Sequence, residues 1–111
     1  MKIYAARRQR KQEFNWNYYA GKDLWIKTFL FNSALCTSID QWVRVNSVYT
    51  DASGNTILRC NIVREATDLT TLNDIEEALR SESEMDAYYF RVAMPIDLMT
   101  TEELKEMCTY G

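Results

Sequence analysis

Apolar and polar positions alternate most cleanly between Gln41 and Arg64. On the first half, Trp42, Arg44, Asn46 and Val48 share one face, while Gln41, Val43, Val45, Ser47 and Tyr49 share the other. On the return half, Leu58, Cys60 and Ile62 alternate with Ile57, Arg59, Asn61 and Val63. A period of two is that of a half-buried strand. Asp51, Ser53, Gly54 and Asn55 lie between the halves as a turn cluster. The pattern therefore predicts a β-hairpin with Gly54 at the tight position of a short loop. Its arginine-and-asparagine face is expected toward solvent, and Val43, Val45, Leu58, Cys60 and Ile62 toward a core.

The same reading places the other elements. Leu24 to Phe31 is apolar on both faces, as a central, doubly covered strand requires. Lys2 to Ala6 is expected as a short edge strand, followed over residues 7–19 by a basic, aromatic-rich arm. Phe14 to Tyr19 shows no clean period, Gly21 marks a turn, and Asn32 to Ser38 forms a connection. Asn73 and Glu76 suit a capping box for a helix from Asp74 to Ser81, with Ile75, Ala78 and Leu79 inward. Glu82, Glu84 and Asp86 are expected in a loop, and Ala87 to Met94 as the last strand, ended by Pro95. Thr100 and Glu103 make a second capping box, with Met99 and Leu104 placed as a hydrophobic staple for a helix from Thr101 to Cys108. The sum is one α+β domain over residues 1–111: a small curled antiparallel β-sheet, SH3-like or OB-like, open or partly closed, with two short helices. A flat sheet with helices on one face is the alternative geometry.

Composition narrows the chemistry. The chain has no histidine, which removes the commonest general base and the commonest zinc ligand. Its three cysteines, Cys36, Cys60 and Cys108, are far apart and form no CxxC pair, as in a reducing compartment. Its three glycines are isolated, so no phosphate-cradling loop exists. Glu76/Glu77 and Glu102/Glu103 are adjacent in predicted helices, where neighbours do not face each other, so they are poor acid/base pairs. Glu82, Glu84 and Asp86 lack the glycine and spacing of a calcium loop. No enzyme activity, metal or cofactor is expected. The N-terminus has no apolar run of a secretory signal and no stretch is long enough to span a bilayer, so a cytoplasmic protein is expected.

Charge is divided along the chain. Residues 1–27 hold seven Lys/Arg against two acids, and residues 65–111 hold three against twelve. Two binding modes follow. Arg7, Arg8, Arg10 and Lys11, followed by Phe14, Trp16 and Tyr18, are placed to grip a single-stranded nucleic acid through phosphates and stacked bases. A net charge of −3 speaks against this for the chain as a whole. Alternatively, Asp74, Glu76, Glu77, Glu82, Glu84 and Asp86 could occupy a basic groove on a protein partner, with Trp16 or Tyr18 as anchors. A plain solvated acidic face, and an arm whose rings pack on the sheet, are the readings against which both stand.

The stretches KIYAARR, GKDLWIK, QWVRVNSV and PIDLMTTEELKEM resemble a loose group of small proteins from phages and mobile elements of Gram-positive gut bacteria. Members begin with KIYA, carry an aromatic-rich Lys-Asp-hydrophobic-Trp-hydrophobic-Lys strand, and close with a Thr-Thr-Glu-Glu-Leu helix. Some small phage proteins of this kind are anti-CRISPR inhibitors, which bind a Cas effector and block its action on DNA. The resemblance implies a non-catalytic inhibitor acting on a bacterial CRISPR effector in the host cytoplasm. It carries over no functional residue, because Trp25 and the Thr100–Glu103 cap match as builders of the fold.

Overall fold

The computed structural model describes residues 14–32, 37–63, 70–92 and 97–108. In chain order its elements are α1 (Trp16–Tyr19), β1 (Trp25–Asn32), β2 (Thr37–Thr50), β3 (Thr56–Val63), α2 (Leu72–Arg80), β4 (Ser83–Asp86), a 3-10 turn (Ala87–Tyr89), β5 (Arg91–Val92), β6 (Leu98–Met99) and α3 (Thr101–Cys108). The strands form one antiparallel sheet in the order β4-β3-β2-β1-β5. β6 shares the outer edge of β1 with β5, pairing at Trp25 and Ile26 while β5 pairs at Thr28 and Phe29. This is the α+β architecture that the alternation predicts.

The sheet is curled, and connectivity shows why. Through Ile57, Asp86 of β4 lies level with Tyr49 of β2; through Phe29, Arg91 of β5 lies level with Asp40. On a straight β2 those two levels stand about 30 Å apart, and the outer strands of a flat sheet add about 19 Å across it. The link from Asp86 to Arg91 reaches at most about 17 Å when fully extended. It contains a 3-10 turn as well, which rises only about 2 Å per residue. β2 must therefore bend, and its pairing with β3 shifts register between Val45 and Ser47, where Asn46 is the extra residue. A bulge bends its strand and deepens the twist. β2 so serves two half-sheets, its first part pairing with β1 and its second with β3. Among the described residues β4 and β5 do not pair, and the sheet stays open.

Each face of the curled sheet has its own core. The concave face buries Ile26, Val43, Val45, Leu58 and Cys60, joined by Trp16 from α1 and Phe90 from the crossing link. The convex face buries Trp25, Trp42 and Val63 under Ile75 and Ala78 of α2 and Leu104 and Cys108 of α3. β1 is covered on both sides, as its apolar faces predict.

Four expectations are corrected. First, the bulge moves Val48 to the concave side, opposite Leu58, and turns Ser47 and Tyr49 to the convex side with Arg59 and Ile57. Second, the arginine-and-asparagine face is not simply solvated, because helices cover half of it. Asn61 is only 4% exposed there. Its Nδ2 donates to the carbonyls of Ala78 and Ser81, both at 2.9 Å, and so ties the end of α2 to the sheet; the Ala78 carbonyl also accepts from Ser81 N–H at 3.3 Å. Its Oδ1 accepts from Asn46 Nδ2 at 3.0 Å. Third, α2 is capped by Thr71 rather than Asn73. Asp74 N–H donates to Thr71 Oγ1 and the Asp74 carboxylate accepts from Thr71 N–H, at 3.2 and 2.9 Å. Fourth, Glu84 and Asp86 lie on strand β4, and Ala87 to Tyr89 form a turn instead of a strand. The Asp86 carboxylate accepts from Tyr88 N–H at 2.9 Å and starts that turn. The second capping box stands as read: Thr100 N–H donates to Glu103 Oε1 at 2.8 Å and Glu103 N–H to Thr100 Oγ1 at 3.2 Å. Met99 packs into the core that holds Leu104. Lys2 to Ala6 and the connection at 33–36 lie outside the described residues.

Candidate functional site

The apolar stripes of α2 and α3 face the convex side of the sheet, so their polar stripes face away from it. Glu76 and Glu77 on α2, and Glu102, Glu103 and Glu106 on α3, are exposed. The two helices touch, and the cations that they themselves carry are Arg80 and Lys105. Asp74 is also exposed but is held in the α2 cap. Acids in a first helical turn suit the positive end of the helix dipole, which accounts for Asp74, Glu102 and Glu103. Glu76 and Glu77 have no such duty. Among the described residues no group of three acids or thiols converges to hold a metal ion.

The other three predicted acids are tied to the sheet. Glu82 accepts from Asn46 Nδ2 at 2.9 Å. Glu84 accepts from Arg59 Nε at 3.1 Å and from the Tyr49 hydroxyl at 3.2 Å, and so locks β2, β3 and β4 across the convex face. Partial burial, then the nearby Glu84 carboxylate, push the Tyr49 phenol above its ordinary pKa. Asp86 is engaged by the turn that follows it. These groups keep exposed oxygens, but their positions are fixed by the fold.

A second polar network joins the start of β1 to α3. Asp23 accepts from the Thr101 hydroxyl and backbone N–H and from Arg44 Nε, the last at 3.1 Å. Thr101 Oγ1 in turn accepts from Trp25 Nε1 at 2.9 Å. Arg44 continues the chain to Asn46 Oδ1 at 3.2 Å. Partial burial works against the Asp23 carboxylate, but the Thr101 hydroxyl and Arg44 outweigh it and hold the pKa below the usual range. Sequence reading missed this network because its members are remote in the chain. The buried thiol of Cys108 is pushed up by burial and then by Asp74, so it is poorly nucleophilic.

The predicted aromatic grip divides. Arg7, Arg8, Arg10 and Lys11 lie outside the described residues. Trp16 is buried at 8% exposure and packs against Phe14 and Phe90, so its ring serves the core and offers no anchor. Phe14 is half-buried and stacks on Tyr19, with centroids 5.2 Å apart and planes 7° apart. Tyr18 alone of the three predicted rings is displayed, and Lys22 Nζ lies 3.7 Å from its centroid. Tyr88 and Tyr89, read in sequence as strand residues, are equally displayed by the 3-10 turn. The signal that could have found them is Asp86 two positions before Tyr88, an Asx-turn spacing. No helix of the described residues is long and apolar enough to cross a membrane. No family model matches the chain, and no curated protein or solved structure does either.

Proposed function

We propose that the protein acts without catalysis, by binding a basic surface on another macromolecule, and that its partner is a bacterial nucleic-acid-handling complex of the CRISPR-effector kind, which it inhibits. The observation that carries this reading is the outward acidic surface of α2 and α3, fixed on one face of a curled sheet. A groove built for nucleic acid is lined with lysine and arginine, and carboxylates held at fixed spacings on a rigid body complement it. Glu82 and Glu84 extend the acidic surface toward the β4 edge. The resemblance of the KIYAARR and PIDLMTTEELKEM stretches to phage-borne proteins favours the same class of partner, and the encounter is proposed to occur in a bacterial cytoplasm.

The test uses the tagged full chain and purified, guide-loaded Cas effector. The chain should co-purify with the effector and stop DNA cleavage. Glu76→Gln, Glu77→Gln and Glu102→Gln together leave both capping boxes intact. They should weaken capture about tenfold at low salt, with a smaller loss at high salt. A chain that neither captures the effector nor slows cleavage refutes the CRISPR assignment. A triple variant that inhibits as well as the parent refutes the acidic surface.

A further inference from the structure

α1 packs on β2, the 3-10 turn packs on β3, and Trp16 meets Phe90 with ring centroids 5.9 Å apart. Two turns remote in sequence thus adjoin on the concave side, away from the acidic helices. Their next rings point outward: Tyr18, Tyr88 and Tyr89 are 60%, 62% and 58% exposed. Single exposed rings are ordinary, but these three are carried by two turns that adjoin through Trp16 and Phe90. Each turn also brings a cation to a ring. Lys22 Nζ lies 3.7 Å from the Tyr18 centroid, and Arg91 Cζ lies 5.5 Å from that of Tyr88. Lys27, Arg44 and Arg59 are paired with carboxylates, whereas among the described residues Lys22 and Arg91 are in no salt bridge. Arg91 also donates to the Tyr88 carbonyl at 2.6 Å, which holds its guanidinium beside the 3-10 turn.

We infer that this tyrosine ledge binds single-stranded nucleic acid, a second surface distinct from the acidic one. Bases stack on Tyr89 and on the ring faces of Tyr18 and Tyr88 that their cations leave uncovered, and Lys22 and Arg91 meet the phosphates. Tyr88 and Tyr89 stand at 83° to each other, so they present two ring planes to a strand that turns between them. Ring stacking tolerates any base, and binding is therefore independent of sequence. Tyrosines also serve protein interfaces. A protein docking here would have to be acidic to meet these cations, opposite in sign to the partner of the helices.

Fluorescence anisotropy of labelled oligothymidylate and oligouridylate with the full chain tests this. Both should bind, less tightly as salt rises. Tyr18→Ala, and Tyr88→Ala with Tyr89→Ala, should weaken binding about 5- to 150-fold per ring removed. Lys22→Ala with Arg91→Ala should lower the salt slope by about two. These side chains are exposed, so melting temperatures should stay near that of the parent; the lysine–arginine pair provides a second variant should a tyrosine variant fail to fold. No binding at low salt overturns the inference. So does a loss seen only when Arg7, Arg8, Arg10 and Lys11 are replaced by alanine. Tyrosine variants that keep oligonucleotide affinity but lose a captured protein also overturn it, and make the ledge a protein contact.

Discussion

Replacing Asn61 by alanine tests whether α2 is held to the sheet by one buried amide. The side chain is 4% exposed and makes three hydrogen bonds, at 2.9, 2.9 and 3.0 Å, of which two close carbonyls at the end of α2. Alanine removes all three, worth about 0.5–1.5 kcal/mol each, although the Ala78 carbonyl keeps Ser81 N–H as a donor at 3.3 Å. The expected sum is about 3 kcal/mol, which lowers the melting temperature of a domain this size by about 12–20 °C. Asn46→Ala is the matched control. It removes three bonds, to Asn61, Glu82 and Arg44, which lie in exposed or half-exposed surroundings, but leaves both carbonyls their Asn61 donor, and should cost about 1.5 kcal/mol, the low end for three bonds. Thermal unfolding can be followed by tryptophan fluorescence, since Trp25 and Trp42 lie in the convex core that Asn61 serves and Trp16 in the concave one. Amide exchange should quicken along α2 while the β2–β3 hairpin keeps its protection. A fall under about 4 °C, or one no larger than the control's, would refute the reasoning.

Other outcomes follow from the same structure. Because the folded-state pKa of Asp23 is depressed, its stabilising effect is present above the ordinary carboxylate pKa and is lost as pH falls through the folded value. The stability difference between the parent and Asp23→Asn should therefore hold at neutral pH and shrink below about pH 4, as measured by urea unfolding across pH. Thr101→Val removes both the acceptor for Trp25 Nε1 and the donor to Asp23, and should cost about 1–3 kcal/mol in the same assay. Gly54 has φ +87° with nothing within 4 Å of a built Cβ. Gly54→Ala should therefore cost about 1–2 kcal/mol from backbone conformation alone, and Gly54→Asn less, in thermal melts.

Much of the hairpin was legible because its alternation is strict: Val43, Val45, Leu58 and Cys60 are all buried on the concave side. The bulge left one trace, two apolar positions, Val45 and Val48, at odd spacing. A strict period of two puts them on opposite faces, and only an extra residue lets both reach one core. The α2 cap was ambiguous because Thr71-x-x-Asp74 and Asn73-x-x-Glu76 both fit a capping pattern. The reciprocal bonds of Thr71 and Asp74 decide it, and the helix starts two positions earlier than read. Ala87 to Met94 has strong strand propensity, yet β4 and β5 lie at opposite ends of the sheet order. The chain must leave one edge to reach the other, and topology overrides propensity there.

The surfaces were harder to read, for a reason that Trp16 and Glu84 share. A residue type gives its chemistry, but the face it occupies determines whether that chemistry is available to a partner. Trp16 is the largest ring of the predicted arm, and for that reason the concave core takes it; the smaller Tyr18, two positions on, is left outside. Glu84 belongs to the acidic half of the chain, but it spends its charge on Arg59 and Tyr49. Glu76 and Glu77 carry the same group on an outward stripe and cap no helix end. On the surface of α2 they stand four and three positions before Arg80, pairs worth only about 0.2–0.5 kcal/mol each. Their replacement by glutamine should therefore change the melting temperature little, while replacing Glu84, which accepts from both Arg59 and Tyr49, should lower it more. Charge that matters little to stability at one position and supplies it at another separates a surface displayed for a partner from one built for folding.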